Sequence, residues 1–224
     1  MYNAGEVIEL KLGAIFDMDG TLVDTEKYYT RAWVETADDF GLERNPDLGH
    51  LCMGGSPTAN RWIIHKIFPT VDQNAYFDHT IARVKRWSEE ELLLMSGVKE
   101  TLEYFKANGV KMAVASSSNF ETIKKNLARV GIVDYFDALV SGQQFDHSKP
   151  MPDIFIFAAG RLNVNPRDCY VFEDSFNGVK AGNAAGASTI MIVDQVKPTE
   201  EIRALAAEVY DSFDEFLRTR EAQH

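Results

Sequence analysis

Short apolar runs rich in Val, Ile and Ala punctuate the chain at Ala14–Phe16, Val110–Ala115, Ala138–Val140, Cys169–Phe172 and Ser188–Val193. Their length and composition predict buried strands. From Val98 onward they alternate with helix-like stretches at Leu102–Lys106, Glu121–Val130, Ile154–Leu162 and Val179–Ala185. Strand followed by helix, repeated, predicts parallel strands joined by helical crossovers: an α/β fold built on a doubly wound, Rossmann-like parallel sheet. Helix punctuation agrees. Ser118 and Glu121 have capping-box spacing, and Gly131 and Gly186 stand where a helix should stop.

The rhythm breaks after the first strand. Between Asp24 and about Ser96 the pattern holds only helix-like segments, near Tyr28–Phe40, Pro57–Phe68 and Asn74–Glu91. A small α-helical cap domain inserted after the first strand is the simplest account. It predicts a cap at 25–95 and a core at 1–24 and 96–224. All three tryptophans, Trp33, Trp62 and Trp87, fall in the insertion at spacings that suit the core of a helical bundle.

Composition narrows the class of function. The 224 residues are 45% hydrophobic and 25% charged, an ordinary globular balance. With 34 acidic against 23 basic residues the formal net charge is −11, which disfavours nucleic-acid and anionic-membrane surfaces. A small anion held by a few local donors stays open. Cys52 and Cys169 form no CxxC pair, so neither a disulfide framework nor a zinc site is expected and a reducing cytoplasm fits. The opening MYNAGEVIELKLGAIF lacks the basic-then-apolar order of a signal peptide, and no apolar run approaches a membrane span. Nothing in the pattern speaks to oligomeric state, and a monomer is compatible with it.

Open α/β sheets bind ligands beyond the carboxyl ends of their strands, so the strand ends carry the candidate chemistry. The first runs into Asp17–Met18–Asp19–Gly20–Thr21, two carboxylates one residue apart that a hard cation such as Mg²⁺ would hold together. A bare DxD is more often an acidic turn. The second ends in Ser116–Ser117–Ser118–Asn119 before a helix start, where free N–H groups favour an anion. Ser116 is the better phosphate donor there, and Ser118 reads as a cap. The third is followed by Ser148–Lys149–Pro150, with Lys149 on a backbone stiffened by Pro150 and Pro152. The fourth ends in Glu173–Asp174, which alone would be an acidic cap. Taken together the four ends describe a divalent-metal site with an anion clamp.

These residues resemble the haloacid dehalogenase (HAD) superfamily over nearly the whole chain, through FDMDGTLVDTE (16–26), VASSS (114–118), SKPMPD (148–153) and VFEDSFNGVKAGNAAG (171–186). The subfamily resembled is that of the helical-cap, β-phosphoglucomutase-like phosphatases. The resemblance implies that Asp17 is a nucleophile that becomes an aspartyl phosphate. It implies that Asp19 is the acid for the leaving group and the base for water. Ser116, Ser117 and Lys149 would bind the phosphoryl group. Asp17, the carbonyl of Asp19, Asp174 and Glu173 (direct or through water) would hold Mg²⁺.

Dehalogenases of this fold lack the second Asp, so Asp19 with Glu173–Asp174 points to Mg²⁺-dependent phosphoryl transfer on a small phosphorylated metabolite. β-Phosphoglucomutases carry a His four residues beyond the Thr that matches Thr25; here that position is Tyr29. Their cap-loop Arg is matched by Pro57. Both departures favour plain hydrolysis, while Arg61, one helical turn on, keeps a phosphohexose mutase as the alternative. A non-catalytic phosphate-binding protein is a third reading, against which the full motif set counts. Gly54 and Gly55 would let a cap loop approach a ligand closely. Asn119, at the helix start, completes the candidate substrate residues. His65 and His79 have no ligand-like spacing and read as surface or cap-core residues.

Overall fold

The computed structural model describes residues 10–52, 55 and 57–222. They divide into two compact units: one runs to Asp24 and resumes at Leu93, the other is Thr25–Leu92. Strand β1 (Gly13–Phe16) opens the larger unit. The helical unit follows, with α1 (Glu26–Glu35), a 3-10 turn at Thr36–Phe40, α2 (Leu48–Cys52), α3 (Pro57–Ile67) and α4 (Gln73–Glu90). Back in the larger unit come α5 (Val98–Ala107), β2 (Lys111–Ser116), α6 (Phe120–Arg129), β3 (Ala138–Ser141) and α7 (Asp153–Leu162). The chain ends with β4 (Cys169–Glu173), α8 (Phe176–Ala184), β5 (Ser188–Ile192), α9 (Glu200–Leu205), β6 (Glu208–Tyr210) and α10 (Phe213–Glu221).

The six strands form one sheet in the order β3-β2-β1-β4-β5-β6, and every pairing is parallel. Strand β1 therefore lies between β2 and β4, with Phe16 opposite Val114 on one side and Phe172 on the other. This is the doubly wound arrangement the alternating pattern predicts. The crossover direction reverses at β1, and that is where such sheets open a crevice at their carboxyl edge.

Packing makes that edge rigid. On one face Phe16 stacks on Phe172 at 4.8 Å, and Phe105, Phe213 and Phe216 close around the pair. On the other face Ile15, Ala113 and Val171 are buried against Ile154, Phe155, Ala158 and Leu162 of α7 and Ala181 of α8. Each large side chain removed from water this way stabilises the fold by about 1.5–3 kcal/mol. The strand ends are thus anchored from both faces.

Within the helical unit, Trp33, Leu48, Cys52, Ile64 and Tyr76 form the core, and the Tyr76 hydroxyl donates to the Trp33 carbonyl at 2.7 Å. Trp87 packs beside Tyr28, Ala32 and Val84. Trp62 departs from the expectation of a core residue: it is 61% exposed, with Lys66 lying over its ring. On α3 the buried positions are Asn60 and Ile64, which leaves position 62 on the opposite side of the helix.

Other differences are local. The expected single helix over Tyr28–Phe40 tightens to 3-10 geometry after Glu35 and stops at Gly41, whose φ is +64°. The return from the helical unit comes at Leu93 rather than after residue 95. Asp24 N–H donates to Leu93 O and Met95 N–H to Leu22 O, both at 3.0 Å, with an antiparallel bridge between Val23 and Leu94. These backbone bonds tie the outgoing and returning segments together inside the larger unit. Helix α6 is capped by Asn119, whose side chain accepts from Thr122 N–H at 2.9 Å, and not by Ser118. Gly131 and Gly186 stand just past α6 and α8 with φ of +73° and +81°, as stop residues should. Among the described residues no helix is long and apolar enough to cross a membrane.

Candidate active site

The site is assembled from the ends of neighbouring parallel strands. Asp17 directly follows β1, and its N–H still donates to Phe172 O of β4 at 2.9 Å, so the ladder itself fixes where its carboxylate starts. The chain then folds back: Leu22 and Val23 N–H both donate to Met18 O, and Gly20 turns with φ of +80°. Met18 is fully buried while Asp17 and Asp19 flank it, and this fixes both carboxylate-bearing residues to a tight loop. Thr21, also fully buried, donates from Oγ1 to Asp174 Oδ1 at 3.0 Å. The loop after β1 is thereby joined to the loop after β4.

Lys149 stands at the centre. Its ammonium donates to Asp17 Oδ1 at 2.5 Å, to Glu173 Oε1 at 2.6 Å and to the Ala115 carbonyl at 3.2 Å. Glu173 is fully buried, and its second oxygen accepts from Ser175 N–H at 3.2 Å and Ser175 Oγ at 2.9 Å. Ser175 is also the cap of α8, accepting from Gly178 N–H at 3.0 Å. One ammonium therefore faces two buried carboxylates, with Asp174 next to them. Asp17, Glu173 and Asp174 each offer a carboxylate oxygen, and these oxygens lie within 4.8 Å of one another.

That surplus of negative charge sets the electrostatics. Burial pushes the Asp17 carboxyl up to about 7; Lys149 opposes the rise, and Glu173 and Asp19 add to it. Burial works against the charge on Lys149, but Asp17 and Glu173 outweigh it and hold the ammonium above its ordinary range. A hard divalent cation suits this donor set, because carboxylate oxygens crowded around too little positive charge are what such an ion neutralises. Asp17, Asp174 and Glu173 are the residues that would hold it.

The hydroxyl run after β2 sits beside the carboxylates. Ser116 is buried, with its Oγ accepting from Ser118 N–H at 3.1 Å; Ser117 is exposed. Ser118, expected to be a cap, instead donates to Asp19 Oδ2 at 3.1 Å. Asn119 takes the capping role. The larger unit thus brings together Asp17, Asp19, Ser116, Lys149, Glu173 and Asp174.

The remaining sequence candidates belong to the helical unit. Thr25 is buried at the start of α1, with its carbonyl accepting from Tyr28 and Tyr29 N–H. Tyr29 packs against the unit's apolar clusters. Gly55 is exposed, and Gly54 lies outside the described residues. Arg61 stacks its guanidinium over Phe77, 4.1 Å from the ring centre. His65 is exposed, and exposed His79 lies 3.5 Å from Asp39.

Sequence reasoning gave no role to Thr21, Ser175 or Gly178. Thr21 lies in FDMDGTLVDTE and Ser175 in VFEDSFNGVKAGNAAG, and spacing signals only the second, a hydroxyl two residues past Glu173. Ser175 lies two residues from the carboxylate it holds, whereas the Thr21 partner Asp174 is 153 positions away and only the fold brings the two together.

The fold is that of an α/β enzyme, and the candidate donor set lies at the carboxyl edge of its parallel sheet. Residues 12–186 match the family model for haloacid dehalogenase-like hydrolases. The chain belongs to that family. It is 36% identical over 177 residues to the phosphorylated carbohydrates phosphatase of Thermotoga maritima, covering 79% of this chain and 82% of that protein. It is also 36% identical over 181 residues to the fructose-1-phosphate phosphatase YqaB of Escherichia coli K12, covering 80% and 94%. A solved Thermotoga maritima structure described provisionally as a beta-phosphoglucomutase superposes with a TM-score of 0.78 at 30% identity, covering 94% and 98%.

Proposed function

We propose that this protein is a Mg²⁺-dependent phosphatase that hydrolyses the phosphomonoester of a small metabolite, a sugar phosphate or similar compound, through an aspartyl phosphate on Asp17. The observation that carries this reading is the Lys149 ammonium bridging Asp17 Oδ1 and Glu173 Oε1 beside Asp174. A carboxylate attacks a phosphate dianion only where like-charge repulsion is relieved, and this is a place built to relieve it. The named substrates of the two bacterial phosphatases support the sugar-phosphate class.

In the first step a carboxylate oxygen of Asp17 forms a bond to phosphorus as the bond to the ester oxygen breaks. Asp19 gives its proton to the departing alkoxide. In the second step Asp19 takes a proton from water, whose oxygen bonds to phosphorus as the Asp17–phosphorus bond breaks. Inorganic phosphate leaves, and both carboxylates return to their starting state. Splitting hydrolysis this way replaces one hard displacement with two easier ones. Lys149 and Ser116 hold the transferring group, and bound Mg²⁺, held by Asp17, Asp174, Glu173 and the Asp19 carbonyl, would supply further charge neutralisation.

The mutase is the second reading, favoured by the likeness to the provisional beta-phosphoglucomutase structure. Tyr29 and Pro57 stand against it, where mutases carry His and Arg. A phosphate-release screen across phosphometabolites with Mg²⁺ tests the proposal, with β-glucose 1-phosphate and a bisphosphate primer included. Free phosphate supports the phosphatase, glucose 6-phosphate supports the mutase, and no turnover on any substrate rejects both.

A further inference from the structure

Glu173 is a long side chain in a place with almost no room. Its carboxylate is fully buried and uses one oxygen on Lys149 and the other on Ser175. What lies on its remaining side is the backbone of Gly178 in the first turn of α8. A Cβ built on Gly178 overlaps all three heavy atoms of the Glu173 carboxylate group. The carboxylate thus occupies the volume that any other residue at 178 would need for its own side chain.

We propose that Gly178 is a positioning residue for phosphoryl transfer. By leaving its side-chain volume to Glu173, it sets where that carboxylate holds the Lys149 ammonium against Asp17. The inference rests on the reading of Lys149 and Asp17 given above and extends it to a residue outside the reacting groups. The element that transmits the position is short: Gly178 N–H donates to Ser175 Oγ, Ser175 Oγ donates to Glu173, and Glu173 accepts from Lys149. Adding one methyl at 178 leaves the helix bonding intact and favours the helix by propensity. Its cost falls on the carboxylate, whose tip must leave its seat and draw Lys149 with it.

Gly182, one turn on, is a built-in control. A Cβ there meets Thr189 Oγ1 at 2.5 Å and Val171 Cγ1 at 3.0 Å, so Gly182→Ala strains the packing of α8 on the sheet without touching Glu173.

The test compares Gly178→Ala, Glu173→Asp, the double variant and Gly182→Ala by Mg²⁺-dependent phosphate release from an aryl phosphate and by Tm of the metal-free protein. Gly178→Ala is expected to lose about 10²-fold in kcat with little change in KM, the scale of a displacement near 1 Å in a catalytic group. Glu173→Asp withdraws the carboxylate by one methylene and makes room for the methyl. The double variant is therefore expected to be about tenfold faster than the product of the two single losses. Gly182→Ala is expected to lower Tm while keeping kcat close to wild type. Losses that simply multiply in the double variant overturn the proposal, and so does a Gly182→Ala enzyme as slow as Gly178→Ala. If the wild type shows no phosphate release, the phosphatase reading fails on its own. The metal-free Tm cycle between positions 173 and 178 then still decides the steric relation, additive shifts overturning it and a coupled shift supporting it.

Discussion

Ser118 Oγ donates a hydrogen bond to Asp19 Oδ2 at 3.1 Å, and the Ser118 carbonyl is itself held by Ser141 Oγ at 2.7 Å. Because β2 and β3 are in register at Ser116 and Ser141, the sheet fixes the loop that aims this hydroxyl. In the proposed mechanism Asp19 gives up and takes back a proton in successive steps, and an oriented carboxylate serves both.

Ser118→Ala removes that restraint. The expected loss is about 1.5 kcal/mol of transition-state stabilisation, roughly tenfold in kcat/KM, for substrates with poor leaving groups. Aryl phosphates, whose leaving group needs no proton, should lose less in the first step. Ser118→Thr, which keeps the hydroxyl, should recover most of the rate. A Brønsted series across leaving groups checks this, and a loss independent of leaving group would place Ser118 elsewhere in the mechanism.

Lys149 should tolerate no substitute. Its ammonium serves Asp17 Oδ1, Glu173 Oε1 and the Ala115 carbonyl from one point, a geometry the planar fork of arginine cannot reproduce in a buried space. Lys149→Arg and Lys149→Met are both expected to lose at least about 10³-fold in kcat, in the range for removing a preorganised charge-stabilising group. Steady-state kinetics at saturating Mg²⁺ measures it. Activity in Lys149→Arg within tenfold of wild type, a loss under about 1.4 kcal/mol, would contradict the proposed role.

The Asp17 carboxyl carries a pH signature. Its folded value is pushed up from 3.8 to about 7, chiefly by burial. In the metal-free protein the folded state therefore keeps a proton that the unfolded chain has released over this window. The stability linked to this group is fully present below 3.8 and is lost as pH rises through about 7. Asp17→Asn has no such proton, so its Tm relative to wild type should climb across the same window. Divalent metal must displace the proton, so apparent Mg²⁺ affinity should rise with pH up to about 7 and flatten above it. Calorimetric titration at several pH values checks the second outcome. A pH-independent affinity would mean that Asp17 is already ionised in the empty site.

Both cysteines should be chemically quiet. Burial pushes the Cys52 thiol up to about 12 and the Cys169 thiol to about 11, leaving little thiolate at neutral pH. Iodoacetamide at pH 8 is expected to label neither in the native protein and both after denaturation. Mass spectrometry reads the result directly, and rapid native labelling of either would show that its segment opens.

The legible parts of this protein were those with a strong local period. Buried parallel strands read as apolar runs, and all four expected helix–strand alternations follow from the shift from one period to the other. Strand β6, with Glu208 at its start and a single buried residue, has no such run and was not visible. Helix α2, five residues long, is shorter than a helical period can reveal. At the candidate site, the groups proposed to do chemistry stand out because they crowd at strand ends. The groups that hold them do not: Ser118 has the spacing of a cap, and only its tertiary partner Asp19 distinguishes it from one. Trp62 shows the converse, since a count of aromatics cannot say which side of α3 faces the core.

The central claim is that Asp17 carries the phosphoryl group between the two half-reactions. Acid-quenching the enzyme during turnover of an aryl phosphate with Mg²⁺, followed by peptide mapping by mass spectrometry, measures it most directly. The phosphoryl group is expected on Asp17. It should accumulate further in Asp19→Ala, which lacks the base for the second step, and Asp17→Asn should release no phosphate. A phosphoryl group on another residue, or substantial turnover by Asp17→Asn, would contradict the account.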